Sequence, residues 1–331
     1  MSVSIVIPCF RSTATLPPLV EGIAAAIPID QRPYEIILVV DDDEDDTWEL
    51  TAELARRGPA IRAIRLSRNY GQHNAIVAGI RAARHEVIIT MDDDLQHPST
   101  EIPVLLAALT PEFDLVYGVS DVEEHRAVRS LASRGVKWVL AWALGIRDAR
   151  SFSALRAFRA HLTPVFDRID GPHASIDVAL SWATSRITAT TVRMRPRPDG
   201  RSGYTLRSLA RHTANMVFGF SIAPLRLVTM VGLAVGLVGL ALFGKVTFAY
   251  FTGATTVAGF TTIASMVALF ASAQLIALGV LGEYVGRIHT VGMGRPNYLI
   301  RESAPDGPHE TGRVPESRDA QLVTAGWQAG E

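Results

Sequence analysis

Short apolar segments alternate with amphipathic segments through the first part of the chain. The apolar segments are residues 3–7, 36–40 and 87–91, each with the length of a buried strand, and residues 61–66 and 113–117 predict two further strands. Apolar residues recur at helical spacing between them, in residues 16–26, 47–57 and 72–83. Strands that are apolar throughout and alternate with helices predict a mostly parallel, Rossmann-like α/β sheet with helices on both faces.

The pattern becomes less regular after residue 117. Helical spacing returns in residues 128–144 and 176–184, and residues 187–194 predict an edge strand. A loop rich in Arg, Pro and Gly follows at residues 195–203. Residues 206–220 then mix basic and large apolar side chains, which is typical of an amphipathic helix lying at a membrane surface.

Two long segments near the C-terminus are almost free of charge. Residues 227–242 and 257–282 contain no charged side chain, and each approaches or exceeds the roughly 20 residues that cross a bilayer. Arg226, Arg287 and Arg295 flank the outer ends of this pair, so the positive-inside rule places both ends in the cytoplasm. We therefore expect a two-helix transmembrane hairpin in a multi-pass protein of the cytoplasmic membrane. The alternative is a pair of helices buried in a soluble core.

These patterns divide the chain into four parts. Residues 1–203 form a cytosolic α/β domain, 204–222 an interfacial amphipathic helix, 223–302 the hairpin with its juxtamembrane segment, and 303–331 a disordered tail. The 32 basic and 33 acidic side chains nearly cancel, so net charge offers no argument for nucleic acid as a partner. Cys9 is the only cysteine, which fits a reducing compartment, and no cleavable signal peptide is expected.

Two acidic clusters follow predicted strands. Residues 41–46 come after the second strand, and Asp92, Asp93 and Asp94 come directly after the fourth. The carboxyl ends of parallel strands form the ligand-binding edge of such sheets, so both clusters should share one crevice. Three adjacent carboxylates repel one another unless a cation lies among them. Asp92 and Asp94 point the same way in an extended segment and suit Mg²⁺ or Mn²⁺ bridged to a diphosphate, whereas a solvated acidic turn is the alternative.

The triplet lies within the octapeptide MDDDLQHP at residues 91–98, which resembles the D-x-D-L-Q-x-P signature of family-2 glycosyltransferases of the polyprenyl-phosphate type. This branch includes dolichol-phosphate mannose synthase and the bacterial bactoprenol glycosyltransferases. Other stretches resemble the family in the same order, at residues 3–10, 68–79, 201–205, 224–227, 281–287 and 295–298. The resemblance implies a GT-A-like fold and an inverting sugar transfer from a UDP- or GDP-sugar to undecaprenyl or decaprenyl phosphate. The product would serve cell-envelope glycan synthesis or modification.

The resemblance also implies roles for individual residues. Asp92 and Asp94 would hold the metal ion and the donor diphosphate, and Arg201 would contact phosphate with the bidentate fork of its guanidinium. Ser202 and Tyr204 would complete the acceptor phosphate site. The remaining donor-binding positions are Pro8, Asp41, Asp42, Arg68, Gln72 and Asp93. The family further suggests a homo-oligomer.

The general base is the least defined role. Asp94, Asp177 and Arg201 are the catalytic candidates, and Asp177 opens a predicted helix either as the base or as an acid favoured by the helix dipole. Ser153 stands in a stretch where several relatives carry an acidic residue proposed as the base. A phosphate acceptor is already largely a dianion at neutral pH, because its second pKa is about 6, so we expect orienting it to be the larger task.

The chain departs from the family pattern at two more positions, Val40 and His97, although neither change touches Asp92 or Asp94. Two other functions are weighed against sugar transfer to a lipid phosphate. A processive polysaccharide synthase usually has more membrane spans and a Q-x-x-R-W element, and neither is visible. An inactive membrane scaffold is disfavoured by the retained Asp92, Asp94 and Arg201.

Overall fold

A computed structural model describes residues 1–27, 32–41, 45–120, 152–167, 175–195, 223–252, 259–294 and 296–305. Within these ranges the chain forms an eight-stranded mixed sheet with the strand order β7-β5-β6-β4-β1-β2-β3-β8. The strands are β1 (Val3–Cys9), β2 (Tyr34–Val40), β3 (Ile61–Leu66), β4 (Val87–Thr90), β5 (Leu115–Ser120), β6 (Arg156–Arg159), β7 (Ile187–Val192) and β8 (Ile300–Ala304).

The centre of the sheet is parallel, as the apolar pattern predicts. β1 pairs in parallel with β2 and β4, β2 pairs in parallel with β3, and β7 runs parallel to β5 as an edge strand. β6 and β8 were not expected, and both pair antiparallel to their neighbours. β6 carries an arginine at each end and β8 is a half-exposed edge strand, so neither shows a continuous apolar run.

The helices are α1 (Leu16–Ala26), α2 (Thr47–Arg57), α3 (Gln72–Ala82), α4 (Ile102–Ala108), α5 (Pro164–Asp167), α6 (Ile176–Ala183), α7 (Ala223–Phe251) and α8 (Phe260–Gly292). The first two begin and end where the periodicity predicts, and α3 and α6 each end one residue early. The helix predicted at residues 128–144 and the interfacial helix at 204–222 lie outside the described residues.

Side chains of β1 alternate between two cores, one on each face of the sheet. Val3, Ile5 and Ile7 pack with α1, α2 and α4, whereas Val6 packs with α3 and α6. α3 approaches the sheet closely at Gly79, where a Cβ atom would collide with Val6 and come within 3.1 Å of Val39. The prediction that helices cover both faces is therefore confirmed.

The two long helices α7 and α8 pack against each other. Among the described residues, α7 alone is long and apolar enough to cross a membrane, over Pro224–Ala241, and none of that stretch is buried inside the protein. This exposure argues against a core helix. Gly239 faces Phe270 of α8, as expected of a small residue at a helix contact, but Gly232 and Gly236 face open space.

The C-terminal boundary of the folded chain differs from the prediction. β8 pairs with β3 and includes Ser303 and Ala304, which were assigned to a disordered tail. The chain thus leaves the end of α8 and rejoins the sheet formed by the N-terminal residues. The domain boundary predicted at residue 203 therefore separates strands that belong to one sheet. β8 was missed because a short, polar edge strand has no periodic pattern of apolar residues.

Candidate active site

The carboxyl ends of β1, β2 and β4 lie side by side at one edge of the sheet. Because β1 pairs in parallel with both β2 and β4, the residues that follow these strands converge there. β1 leads to the loop at Phe10–Ser12, β2 leads to Asp41, and β4 leads to the acidic triplet. The structure thus brings Asp41 and Asp92–Asp94 to the same edge, and Asp42 lies outside the described residues.

Asp93 is bound into the loop after β1. Its Oδ2 atom accepts hydrogen bonds from the backbone N–H of Phe10 at 3.2 Å and from the hydroxyl of Ser12. Burial raises the pKa of Asp93 above its ordinary value; the bonds from Ser12 and Phe10 partly counter this rise, and the charge of Asp94 adds to it. Asp93, proposed from the sequence as a donor-binding residue, therefore holds the loop that borders the crevice.

Asp92 lies beside the N-terminus of α3. Its Oδ1 atom accepts a hydrogen bond of 2.6 Å from Nε2 of Gln72, which begins that helix. Asp92 thus contacts α3, whereas its neighbour Asp93 contacts the loop after β1. The sheet thus directs Asp92 and Asp93 to different partners and brings together two of the predicted donor-binding residues, Asp92 and Gln72.

Asp94 lies in a bend rather than in an extension of β4. Its Oδ1 atom accepts a hydrogen bond of 3.1 Å from the backbone N–H of Gln96, and Leu95 between them has a positive φ of 58°. The expectation that residues 92–94 form an extended segment is wrong, because the chain bends at residues 93–95. Both Asp92 and Asp94 remain half-exposed at the crevice.

Asp41 is buried at the end of β2 and supports the loop between β3 and α3. Its Oδ1 atom accepts a hydrogen bond of 2.8 Å from the backbone N–H of Tyr70. The guanidinium of Arg68 lies 4.7 Å from the centre of the Tyr70 ring, and the Arg68 side chain is exposed. Asp41 bonds to this loop, Arg68 lies in it and Gln72 follows it directly. The loop therefore links three of the predicted donor-binding residues.

Asp177 is held in a buried network. Its Oδ1 atom accepts hydrogen bonds from the hydroxyl of Tyr117, at 3.1 Å, and from Nη1 of Arg156. The Arg156 side chain is 4% exposed and that of Asp177 is 14% exposed. Burial, and then the charge of Asp177, raises the pKa of Tyr117, so its hydroxyl stays protonated and donates. Asp177 balances a buried cation in this structure, a role that neither of the two sequence interpretations considered.

Several predicted site residues are not directly visible at the crevice. Pro8 is buried within β1 opposite Val39, so it shapes the sheet beneath the site. Arg201, Ser202 and Tyr204 lie outside the described residues. Arg195, the last described residue before them in the chain, does contact the site. Its backbone N–H donates a 2.8 Å hydrogen bond to the carbonyl of Gln96.

The donor set at this edge fits a divalent cation only in part. Within the portion of the chain that the structure describes, no three His, Cys, Asp or Glu side chains are grouped closely enough to hold a metal ion. Mg²⁺ is usually bound through one or two carboxylates together with water and substrate phosphates, so such a group is not required. Asp92 and Asp94 provide two half-exposed carboxylates of this kind.

Other residues at the site received no role from the sequence. The ring of Phe10 is 48% exposed beside the triplet, and Ser12 fixes Asp93. His97 is buried, and burial lowers its pKa although the charge of Asp94 acts in the opposite direction. Neither nitrogen of its ring has a hydrogen-bond partner among the described residues. Arg156 interrupts a short apolar stretch, and that interruption is the one local signal that could have indicated a buried ion pair.

Comparison with known proteins identifies the family. The family model described as Glycosyl transferase family 2 matches residues 4–147. An undecaprenyl-phosphate 4-deoxy-4-formamido-L-arabinose transferase from Yersinia enterocolitica is 34% identical over 303 residues, covering 91% of this chain and 93% of that protein. The enzyme of the same name from Yersinia pestis is 33% identical over 304 residues, with the same coverage of both chains.

Two solved structures show a weaker likeness. Glucosyl-3-phosphoglycerate synthase from Mycobacterium tuberculosis, in complex with Mn²⁺ and UDP-glucose, matches 66% of this chain and 77% of that chain with a TM-score of 0.45 and 18% identity. A mycobacterial protein matches 66% of this chain and 72% of that chain with a TM-score of 0.47 and 18% identity. On the strength of the Yersinia relatives, the chain belongs to the family-2 glycosyltransferases of the polyprenyl-phosphate type.

Proposed function

We propose that this protein transfers a sugar, with inversion, from a nucleotide-diphosphate donor to a polyprenyl phosphate for cell-envelope glycan synthesis or modification. The observation that carries the proposal is the identity of 34% with a polyprenyl-phosphate sugar transferase over nearly the full length of both chains. The acidic edge of the sheet agrees with it, since Gln72 donates a hydrogen bond to Asp92 there and Asp41 accepts one from the backbone of Tyr70. The mostly parallel mixed sheet is consistent with a GT-A-type fold.

The donor diphosphate would lie at Asp92 and Asp94, with Mg²⁺ or Mn²⁺ between carboxylates and phosphates. When bound, the cation neutralises negative charge on the departing nucleoside diphosphate. The protein supports this arrangement in two ways. Gln72 orients Asp92 by its hydrogen bond, and the turn at Gln96 orients Asp94.

The nucleoside would lie between the loop after β1 and the loop before α3. The exposed ring of Phe10 offers an apolar surface on the first loop, and Tyr70, whose backbone is held by the buried Asp41, forms a wall of the second. Arg68 lies over Tyr70 and brings a positive charge to the same wall. Together these residues supply stacking and hydrogen-bonding groups suited to a nucleobase and ribose, either UDP or GDP.

The acceptor phosphate would be held by Arg201, Ser202 and Tyr204. The contact between Arg195 and Gln96 supports this, because it starts the segment carrying these residues next to the acidic turn. A guanidinium fork binds two phosphate oxygens at once and fixes the nucleophile's orientation. A phosphate dianion needs no deprotonation, so we assign Asp177 a positioning role through Arg156 rather than that of a base.

The long helices would anchor the enzyme where its lipid acceptor resides. α7 can span a membrane by length and composition, and its large apolar side chains are exposed. We propose that α8 forms the second half of a transmembrane hairpin, because it packs against α7 and carries exposed apolar residues such as Leu275 and Ile276. The catalytic domain then faces the cytoplasm at the inner membrane. A homo-oligomer remains a prediction.

A transfer assay tests the proposal. Purified protein is incubated with polyprenyl phosphate, Mn²⁺ and a panel of radiolabelled UDP- and GDP-sugars that includes a 4-deoxy-4-formamido-L-arabinose donor. We expect label in a lipid-extractable product, and loss of that product in Asp94→Ala while the variant still inserts into membranes. A protein that binds its nucleotide but labels no lipid with any donor would support the scaffold alternative. Unchanged transfer by Asp94→Ala would refute the metal-site assignment.

A further inference from the structure

Residues 296–304 return from the end of α8 to the sheet, and we call them the return segment. Tyr298 in this segment packs with the core on the α3 face. The guanidinium of Arg81, in the last turn of α3, lies 5.6 Å from the centre of the Tyr298 ring, and its Nη1 atom donates a 3.4 Å hydrogen bond to the hydroxyl. The return segment therefore holds the C-terminal end of α3.

The same segment also holds β3. The carbonyl of Leu299 accepts a 2.8 Å hydrogen bond from the backbone N–H of Ser67, the residue that follows β3. β8 then pairs with β3, and Glu302 accepts a 3.0 Å charged hydrogen bond from Arg65. Tyr298 thus contacts the C-terminal end of α3, and Leu299 contacts Ser67, the first residue of the loop (residues 67–71) that joins β3 to α3.

This loop borders the donor side of the crevice. The hydroxyls of Ser67 and Tyr70 lie 2.9 Å apart, and the N–H of Tyr70 donates to Asp41 at 2.8 Å. Gly71 leaves the loop with a positive φ of 89°, and the next residue, Gln72, bonds to Asp92. A continuous series of contacts therefore runs from the end of α8 to both Asp41 and Asp92.

We propose that the return segment is a positioning element for the nucleotide-diphosphate pocket, with Tyr298 and Leu299 as its two anchoring points. The proposal rests on the function proposed above for the class of ligand. A loop whose first residue is already held in place before the ligand arrives loses less conformational entropy when the ligand binds. Release of the return segment frees the loop and weakens nucleotide binding, while the lipid acceptor site is unaffected. The chain that leaves the long helices thereby sets the geometry of the donor site.

The test uses the full-length protein in detergent and two readouts. Hydrogen–deuterium exchange of the free protein reports the amides of Ser67 and Tyr70, and calorimetry with UDP or GDP plus Mn²⁺ reports nucleotide affinity. In Tyr298→Ala we expect the Tyr70 amide to exchange about ten times faster and the nucleotide Kd to rise about tenfold. Tyr298→Phe keeps the ring and should restore both values, and the apparent KM for polyprenyl phosphate should stay unchanged. Met293→Ala, an exposed position just outside the segment, is the matched control.

A second variant covers the possibility that Tyr298→Ala does not fold. Glu302→Gln removes the ion pair with Arg65 at a partly exposed position and should speed exchange of the Ser67 amide about threefold. Wild-type exchange of residues 67–71 in every folded variant would overturn the proposal. So would faster exchange spread equally over the central strands, because that pattern indicates general destabilisation. Exchange is measured without nucleotide, so a failure to label lipid would count against the proposed function alone.

Discussion

The ion pair between Asp177 and Arg156 provides a direct test of how the site works. Asp177→Asn keeps the shape of the side chain and an acceptor oxygen for Tyr117, but it removes the charge that balances Arg156. Arg156 is 4% exposed and lies in β6 opposite Thr90, two residues before Asp92. The substitution therefore leaves a buried guanidinium without its counter-charge beside the catalytic edge of the sheet.

The expected loss of stability is large. Removing one partner of a buried ion pair costs about 3–5 kcal/mol, and the low end applies because Asn still accepts hydrogen bonds. A loss of about 3 kcal/mol lowers the melting temperature of a domain of this size by about 6–12 °C. If Asp177 instead acted as the general base, stability would change little and kcat would fall by a factor of about 10²–10⁴.

The two roles separate in one set of measurements. Melting of the detergent-solubilised wild type and Asp177→Asn gives the stability change, and transfer rates below the variant's melting transition give kcat over a range of pH. We expect a clear drop in melting temperature, a loss in kcat of less than about tenfold and an unchanged pH–rate profile. The double variant Arg156→Met/Asp177→Leu should recover most of the stability, because apolar pairs replace buried ion pairs well.

An Asp177→Asn protein that melts with the wild type and has lost nearly all turnover would refute this reasoning. That result would assign the base to Asp177. A double variant less stable than either single variant would also contradict the ion-pair account, since it would mean that the charges themselves are not what the fold requires.

Three further predictions concern other parts of the chain. Burial acts to raise the pKa of Glu35, but hydrogen bonds from Ser4, Arg62 and the Arg84 backbone, together with the charge of Arg62, hold that pKa below the ordinary value of a glutamate. Glu35 therefore stabilises the fold at pH values above its ordinary pKa, and this effect is lost as the pH falls through the lowered pKa. Glu35→Gln should flatten the acid loss of stability measured by urea unfolding over that range. Gly79→Ala should destabilise the protein by about 1–3 kcal/mol in the same assay, because α3 contacts the sheet there, and an unchanged unfolding midpoint would contradict that packing. A cysteine at residue 253, in a variant lacking the native Cys9, should react with impermeant thiol reagents from outside intact cells, whereas labelling only after lysis would reverse the proposed orientation.

The sequence alone determined the central strands, α1 and α2, and the place of the acidic triplet. Each of these depends on a local pattern: a short run of three to five apolar residues for a strand buried on both faces, helical spacing for its neighbours, and an acidic run directly after a strand. Parallel pairing then places the ends of β1, β2 and β4 at one edge. That much of the site follows from sequence because it depends on residues close together in the chain.

The tertiary structure decided how the carboxylates are used. A bend at residues 93–95 takes Asp94 out of the line of β4, and Ser12, far away in the sequence, binds Asp93. The sequence shows no partner for Asp177, and the folding of β6 places Arg156 beside it. β8 joins β3 from the other end of the chain and has no periodic pattern of its own. These contacts join residues distant in sequence, and their energies depend on burial and partner geometry, so they are defined only once the chain has folded.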